Sequence, residues 1–352
     1  MTANPPQPAA ELPVDYSSIE KSLAELWRSE KEGERAVMRA ALWNVVAHTT
    51  NPRDHSAASE TLSRASESVP QRAIVIRADP HAPSEITSWI SANCHLVAGE
   101  KQVCSEEVAI VAGGSRVRHI PPLVNALLIP DMPVAVWWIG DLPNDDYAYV
   151  ETLLDSADHL IVDSVHFDSI SDVVWLRQIA ERTFTAPADL NWVRLEDWRI
   201  ATASLFDPPP MRQRLLRIRR MRLVAAEGAE DLFGTWIESL YFAAWINAQS
   251  DPGRVNDIEY EFDLEKSACE PGAVTQVRIE FERGSEAMIR RDHERGVLTA
   301  TIDGATQTFD SVTRLLGRRS HEVIVRQLKR PESDRVFMKV LPIATHLASK
   351  IA

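Results

Sequence analysis

The chain has 352 residues, of which 45% are hydrophobic and 25% are charged, a balance typical of a globular protein with buried cores. Its net charge of −13 argues against a general nucleic-acid-binding protein, because such a protein needs a basic face to neutralise phosphates. No apolar run approaches the roughly 18 residues of a membrane span, and the N-terminus lacks the regions of a secretory signal. These properties predict a cytoplasmic protein without a membrane or nucleic-acid partner.

Two proline-rich stretches mark the predicted domain boundaries. Residues 1–16 contain several prolines and predict a disordered tail. Three consecutive prolines follow Asp207 and cannot continue a helix. We therefore expect one domain over residues 17–207 and a second over residues 208–352.

The first domain has the pattern of an α/β sheet. A strand at Leu42–Val46, a helix at Asp54–Ser68 and a strand at Ala73–Ile76 predict a βαβ unit with parallel strands and a right-handed crossover. Further strands are predicted on either side of Gly99–Glu100, over 133–140 and over Leu160–Val162. The expected fold is a mixed, mostly parallel sheet with helices on both faces.

The second domain reads as α+β. A strongly apolar helix over residues 231–250 precedes four segments with partial period-2 patterning between residues 256 and 304, which predict an antiparallel sheet. A final helix is expected at "SHEVIVRQLKR", residues 320–330.

Three motifs carry polar residues of the kinds used in catalysis, but each also has an ordinary structural interpretation. His48, Asp54 and His55 accompany an ordinary helix start. Ser115, Arg116 and Arg118 follow a glycine pair that lacks the Rossmann and P-loop patterns. "IVDS", residues 161–164, lies between His159 and His166, yet Asp and Ser commonly begin helices. We therefore predict no catalytic residue, no cofactor and no metal site.

The three cysteines are too few for a disulfide framework. As the default, each is a buried small hydrophobic residue. Cys94 and Cys104 fall on adjacent predicted strands, so a hairpin could bring them together as a redox switch. Both interpretations remain open.

Residues 212–222, "RQRLLRIRRMR", hold six arginines. A nucleic-acid site would need aromatic residues among them or a wider basic surface. Pairing with the acidic remainder of the chain, or with an acidic partner, is the favoured interpretation. We expect a strand at Ile218–Val224.

Two segments combine tryptophan with charge or with a buried strand pattern. They are "LLIPDMPVAVWWIGDLP" (127–143) and "DLNWVRLEDWR" (189–199). Tryptophan and arginine are enriched at binding hot spots, so these segments are candidates for contact with a partner protein. Large aromatic residues also lie at seams between domains and in core strands, and that alternative stays open. The candidate residues are Trp192, Arg194, Trp198, Arg199, Trp137 and Trp138.

Both segments resemble the signature segments of the OpcA family, the glucose-6-phosphate dehydrogenase assembly proteins of bacteria. "IEKSLAELW", "LIVDS", "RIRRMRL" and "LLGRRSHEVIVRQL" occur in the same order, so the resemblance covers the chain from Ser18 onward. It implies a non-catalytic allosteric effector that binds glucose-6-phosphate dehydrogenase and promotes its active oligomer in the oxidative pentose phosphate pathway. The alternative is a sugar-phosphate- or nucleotide-binding α/β protein, or an enzyme, with "VAGGSR" and "IVDS" lining its site.

Overall fold

The computed structural model describes residues 12–31, 37–97, 101–142, 149–228, 233–250, 257–303 and 308–349. They form two compact units. The described residues of the first lie within 12–162, 183–187 and 319–333, and those of the second within 163–182, 188–318 and 334–349. The boundary that the prolines predict at residue 207 lies inside the second unit.

The strands, numbered along the chain, are β1 (Leu12–Val14), β2 (Val37–Arg39), β3 (Trp43–Thr49), β4 (Gln71–Asp79), β5 (Ile86–Val97), β6 (Lys101–Gly113), β7 (Val134–Trp138), β8 (His159–Val162), β9 (Ala186–Asp189), β10 (Ile218–Ala226), β11 (Glu259–Glu265), β12 (Val274–Phe281), β13 (Glu286–Asp292), β14 (Val297–Asp303) and β15 (Thr308–Arg314). The helices are α1 (Ile19–Lys31), α2 (Pro52–Ser66), α3 (Ile120–Leu127), α4 (Tyr149–Leu154), α5 (Ile170–Arg182), α6 (Leu190–Arg194), α7 (Glu196–Phe206), α8 (Pro209–Arg212), α9 (Ile237–Gln249), α10 (Ser320–Leu328) and α11 (Arg335–Ala348).

The first sheet has the strand order β1-β5-β6-β4-β3-β7-β8-β9, with β2 beside β6. The pairs β4–β6, β3–β4, β3–β7 and β7–β8 are parallel, whereas β5 runs antiparallel to β6 and to β1. All seven residues of β3 are buried, as expected for a parallel strand covered on both faces. The predicted mixed, mostly parallel sheet is confirmed.

The predicted βαβ unit is β3–α2–β4. Asn51 begins α2 because its side chain accepts a hydrogen bond from the Arg53 backbone N–H at 2.9 Å. Pro52 occupies the first turn, where a missing N–H does no harm. Ala58, Leu62 and Ala65 are the buried apolar positions of the helix. The two strands are parallel, with Val46 opposite Ile74.

The N-terminal part of the chain differs from its prediction. Residues 1–11 of the predicted tail lie outside the described residues, but Leu12–Val14 form strand β1 against β5. The Ser88 hydroxyl donates to the Val14 carbonyl at 2.9 Å. The prolines thus did not prevent pairing, since an edge strand tolerates a residue without an N–H. The turn expected at Gly99–Glu100 lies outside the described residues.

The second unit contains a six-stranded sheet of order β11-β10-β12-β13-β14-β15. Only the β10–β11 pair of this sheet is parallel; the other pairs are antiparallel. Met221 in β10, Ile279 in β12 and Ile289 in β13 are fully buried. Helices α7 and α9 pack against strands of this sheet. The predicted α+β character and the strand at Ile218–Val224 are confirmed.

Two C-terminal elements were not predicted. The sequence pattern of strand β15 does not indicate a clear apolar face, because its Val312 is exposed. Helix α11 follows the helix that was expected to be the last. Pro342 lies inside α11, and a proline normally argues against a helix interior.

Candidate functional site

The segment "DLNWVRLEDWR" forms the end of β9, helix α6 and the first turn of α7, with Leu195 between the two helices. Asp189 begins α6, because its carboxylate accepts a hydrogen bond from the Asn191 backbone N–H at 2.9 Å. The relative exposure is 2% for Trp192, 9% for Arg194 and 0% for Trp198. The segment therefore lies in the interior of the second unit.

Arg194 forms a buried, bidentate ion pair with Asp163. Its Nη1 and Nη2 donate to the two carboxylate oxygens of Asp163, each at 2.7 Å, and Nη1 also donates to Asn191 Oδ1 at 2.7 Å. Burial opposes ionisation of Asp163, but the charge and hydrogen bonds of Arg194 hold the pKa of this carboxyl below its usual value. The "IVDS" and tryptophan motifs, separate in the sequence, meet in this pair.

Asp189 is the second buried carboxyl group of the cluster. It accepts hydrogen bonds from the Tyr241 hydroxyl at 2.8 Å and from the Ser164 backbone N–H at 3.3 Å. Burial raises the pKa of Asp189 to about 6; the nearby Asp163 charge adds to the shift, while the hydrogen bonds from Ser164, Tyr241 and Asn191 oppose it. Two aspartates in one cluster thus have pKa values displaced in opposite directions.

Trp192 links α6 to α7 and α11. Its Nε1 donates to Asp334 Oδ2 at 2.7 Å, and Asp334 also caps α11 by accepting from the Val336 and Phe337 N–H groups. The Trp192 ring stacks on Phe337 with centroids 5.4 Å apart. On the same ring lies the guanidinium of Arg199. These contacts satisfy the tryptophan inside its own unit.

Five of the six candidate contact residues are buried, and contact of any of the six with a partner stays a prediction. Trp192, Arg194 and Trp198 are buried within the second unit, and Trp137 and Trp138 are buried in β7 of the first, at 6% and 2% exposure. The contacts described above lie within the unit to which each residue belongs. Arg199 is half-buried, and its contact with a partner stays a prediction.

The apolar helix α9 carries buried polar groups that the sequence analysis missed, and one of them, Tyr241, belongs to the cluster. Glu238, Tyr241 and Asn247 are buried in a helix whose residues from Ile237 to Asn247 are all buried. Glu238 pairs with Arg318, which also donates to Glu270 at 2.7 Å. A buried polar residue in an otherwise apolar helix needs a hydrogen-bond partner. The polar residues within this apolar segment were therefore the sequence signal that could have indicated the cluster.

The carboxyl end of the first sheet is the usual ligand end of an α/β fold. Strand β3 lies between β4, which follows it in the chain, and β7, which comes later. After β3 the chain adds β4 on one side of it, and later adds β7 on the other side. The position between β3 and β7 is therefore a topological switch point, where α/β proteins place a ligand crevice. In this chain the last residues of β3 and β7 are paired, with His48 opposite Trp138.

Ring side chains fill this crevice. The His48 ring stacks on Trp138 with centroids 4.0 Å apart and an interplanar angle of 10°. His48 Nε2 lies 2.6 Å from the Tyr149 hydroxyl, and Trp138 Nε1 donates to the Asp141 carbonyl at 2.6 Å. Burial lowers the pKa of His48 to about 3, so the ring is neutral at pH 7. The crevice holds a closed aromatic and hydrogen-bonded packing arrangement.

The remaining motifs have structural partners. A Cβ atom on Gly113 would overlap the Pro83 carbonyl oxygen, and Gly114 has φ +53° beside Ser84. The glycine pair is therefore explained by close backbone packing. His159 Nε2 bonds to the Pro331 carbonyl at 2.9 Å, and His55 Nε2 to the Val75 carbonyl at 3.3 Å. Among the described residues, no three His, Cys, Asp or Glu side chains are grouped to hold a metal ion.

Cys94 and Cys104 lie directly opposite each other in the β5–β6 hairpin. Their Cα atoms are 4.0 Å apart and their sulfur atoms are joined in a disulfide. Cys104 is fully buried. The hairpin thus brings the two together, while a regulatory role for the bridge stays a prediction.

Among the described helices, none is both long and apolar enough to cross a bilayer.

Comparisons with known proteins cover most of the chain. A family model described as the glucose-6-phosphate dehydrogenase subunit N-terminal domain matches residues 62–180, and one described as the C-terminal domain of that subunit matches residues 185–341. A protein of Synechococcus elongatus with the provisional name OxPP cycle protein OpcA is 26% identical over 208 residues, which are 58% of this chain and 43% of that protein. Its Synechocystis namesake is 28% identical over 164 residues, or 46% of this chain and 33% of that protein. The chain therefore aligns with less than half the length of these relatives.

Two solved structures share a broadly similar backbone path. An aldose-aldose oxidoreductase from Caulobacter crescentus has a TM-score of 0.46 and 11% identity, covering 89% of this chain and 98% of that one. The 3-ketoreductase KijD10 from Actinomadura kijaniata has a TM-score of 0.45 and 10% identity, covering 87% and 95%. At these TM-scores, neither structure bears on what this chain does.

Proposed function

Because the chain belongs to the OpcA family, whose two domain models are described as domains of a glucose-6-phosphate dehydrogenase subunit, we propose that it is a non-catalytic effector of that dehydrogenase. It binds the enzyme, promotes its active oligomer and raises its activity in the oxidative pentose phosphate pathway. The chain itself turns over no substrate.

The observation that carries this proposal is the filled crevice between β3 and β7. A dinucleotide at this position needs a glycine-rich turn that lets the pyrophosphate approach the backbone at the helix N-terminus. Here His48 stacks on Trp138 at the end of the two strands, and residues 49–54, from the end of β3 into α2, read "TTNPRD" without a glycine. An α/β sheet whose ligand end is packed with rings supports a role in binding a protein rather than a nucleotide.

The effect on the dehydrogenase follows from a population shift. A protein that binds the active state more tightly than the inactive state favours the active state by that difference in affinity. A coupling free energy of roughly 1–3 kcal/mol changes the affinity for substrate by about 5–150-fold. The same free energy can equally favour a larger oligomer, if the binding surface is complete only there.

The test is an assay of glucose-6-phosphate dehydrogenase from the same organism, with and without this chain, over a range of substrate concentrations. We expect a lower apparent KM or a larger active oligomer by light scattering. The chain assayed alone, and the heat-denatured chain added to the enzyme, are the controls. An enzyme unchanged in rate, KM and mass at saturating folded chain would refute the effector role.

The same preparation tests the alternative of a small-molecule-binding protein. A ligand that binds the folded state raises the melting temperature. Glucose 6-phosphate, NADP and NAD are each added to the isolated chain during thermal unfolding. We expect no shift, because rings fill the crevice.

A further inference from the structure

The arginine-rich segment 212–222 is the basic stretch that the proposed function leaves unexplained. It comprises the end of α8, a 3₁₀ helix over Gln213–Arg217, and the start of β10. Ile218 is buried, whereas Arg217 and Arg219 on either side of it are exposed. Arg217 ends the 3₁₀ helix and Arg219 lies in β10, so two exposed guanidinium groups flank the buried Ile218.

A β-bulge sets the direction of Arg219. In the ladder with β12, Ile218 is opposite Phe281 and Arg220 is opposite Glu280, so Arg219 is an extra residue between two paired positions. A bulge bends the strand and redirects the side chain of the extra residue. As a result, Arg219 leaves the row of ion pairs that its neighbours form.

The six arginines divide into two groups. Arg220 pairs with Glu259 at 2.8 Å and Arg222 with Asp263 at 2.6 Å, so the acidic strand β11 neutralises them. Arg214 donates to the Asp303 carbonyl at 2.6 Å. No described carboxylate lies within ion-pair distance of the other four, of which Arg214 is half-buried, whereas Arg212, Arg217 and Arg219 are exposed.

These three residues and Leu216 form what we call the arginine patch. Arg212, Arg217 and Arg219 are exposed, and Arg212 donates only to the Asp207 backbone carbonyl, at 3.0 Å. In the part of the chain that the structure describes, the side chains of Arg217 and Arg219 make no hydrogen bond or ion pair. Leu216, which precedes Arg217 in the sequence, is 54% exposed. Arginine is one of the residues enriched at protein-binding hot spots, where its forked donors hold carboxylates.

We propose that the arginine patch is the surface through which this chain binds a carboxylate-rich surface of the dehydrogenase. The inference rests on the proposed function. A chain of net charge −13 repels an acidic protein in general, so three unneutralised guanidinium groups provide a local attraction that also fixes the orientation of the encounter. Each guanidinium can hold a carboxylate through two parallel hydrogen bonds.

The test compares two charge reversals of equal size. The double variant Arg217→Glu/Arg219→Glu reverses the patch. The matched control, Arg53→Glu/Arg295→Glu, reverses two arginines that are likewise exposed and lie outside the patch. The affinity of each for the dehydrogenase is measured by biolayer interferometry at about 50 and 300 mM salt, together with far-UV circular dichroism and the melting temperature. We expect at least about tenfold weaker binding for the patch variant, no more than about twofold for the control, and a weaker salt dependence for the patch variant.

The outcomes separate the two proposals. Failure of the wild-type chain to bind the dehydrogenase would refute the proposed function and this inference with it. Equal affinities of wild type and a folded patch variant would overturn only the patch. Loss of binding to a fluorescent DNA duplex, or of self-association by light scattering, while dehydrogenase binding persists, would assign the patch to another partner and likewise overturn it. If the patch variant does not fold, Arg217→Gln/Arg219→Gln is measured in its place, with about threefold or greater weakening expected.

Discussion

The Cζ atom of Arg199 lies 3.6 Å from the centroid of the Trp192 ring, while the Nε1 of the same ring donates to Asp334. One tryptophan thus receives a cation on its face and gives a hydrogen bond from its edge. Both contacts lie within the second unit, so the ring is held from two directions. The pair explains why tryptophan and arginine recur together in this segment without forming an exposed contact surface.

Replacing Arg199 separates its structural role from a partner-binding role. A cation over an indole contributes about 0.5–2 kcal/mol, depending on how far it is desolvated. We expect Arg199→Ala to lower the free energy of unfolding by about 1 kcal/mol, and Arg199→Lys by less, measured by urea unfolding. Unchanged stability with weaker binding to the dehydrogenase would instead place Arg199 at the partner surface.

Breaking the Arg194–Asp163 pair leaves one buried charge without its partner. Such a loss costs about 3–5 kcal/mol, whereas removing both charges is often far less damaging. We expect Arg194→Met to destabilise the protein by that amount and Asp163→Asn/Arg194→Met to recover at least half of the loss. Urea unfolding of both single variants and the double variant completes the cycle. Additive losses would show that the two residues act independently.

Asp189 makes the folded state sensitive to pH between about 4 and 6. Its pKa is raised from 3.8 in the unfolded chain to about 6 in the folded protein. The contribution of Asp189 to stability is therefore complete below pH 3.8 and is lost as pH rises through about 6. Two pKa units correspond to about 3 kcal/mol. Relative to Asp189→Asn, the wild type should therefore lose about 3 kcal/mol of unfolding free energy from pH 4 to pH 7. Parallel pH profiles of the two proteins would contradict this.

His48 gives the stability of the fold the opposite dependence on pH. Its pKa is lowered from 6.5 to about 3, so between these pH values His48 is protonated in the unfolded chain and neutral in the folded protein. Stability is present above pH 6.5 and is lost as pH falls, by about 3 kcal/mol between pH 6.5 and pH 4. We expect His48→Phe, which retains a ring beside Trp138, to remove this acid sensitivity. Its unfolding profile should be flatter than that of the wild type over this range.

The Cys94–Cys104 bridge closes a short loop, for which the loss of denatured-state entropy stabilises the fold by about 2–3 kcal/mol. Reduction should lower the urea midpoint of the wild type and leave Cys94→Ser/Cys104→Ser unchanged. The redox prediction requires more, namely a different stimulation of the dehydrogenase by the oxidised and the reduced chain. Equal stimulation would make the bridge purely structural.

Local signals predicted local structure well. Asn51 and Pro52 indicated the start of α2, and the apolar runs on either side indicated β3 and β4, because a βαβ unit is specified within one stretch of chain. The strand at Ile218 was recoverable for a similar reason, since Ile218, Met221 and Leu223 supply its buried positions. The burial of Trp192 and Trp198 was not recoverable. Their neighbours include Phe242, Asp334 and Phe337, which lie far away in the sequence, and no periodicity within eleven residues reports them.

The cluster around Asp163 and Asp189 shows the same limit. Asp189 caps α6, and capping is a local interaction, but the buried arginine pairs with Asp163. Which of two aspartates receives Arg194 depends on where Asp163 lies relative to α6 within the second unit, and that relation is tertiary.

The path of the chain between its two units bears on how it can be synthesised. It passes from one unit to the other at 162/163, 182/183, 187/188, 318/319 and 333/334. Residues 319–333, with α10 packed on α2, complete the first unit only after most of the second has been translated. At a ribosome, where a domain generally folds as soon as it has emerged, the first unit is whole only when residue 333 has been made, and the second only when α11 has been made. A premature stop after residue 318 would therefore leave two incomplete cores for the quality-control proteases, instead of one finished domain.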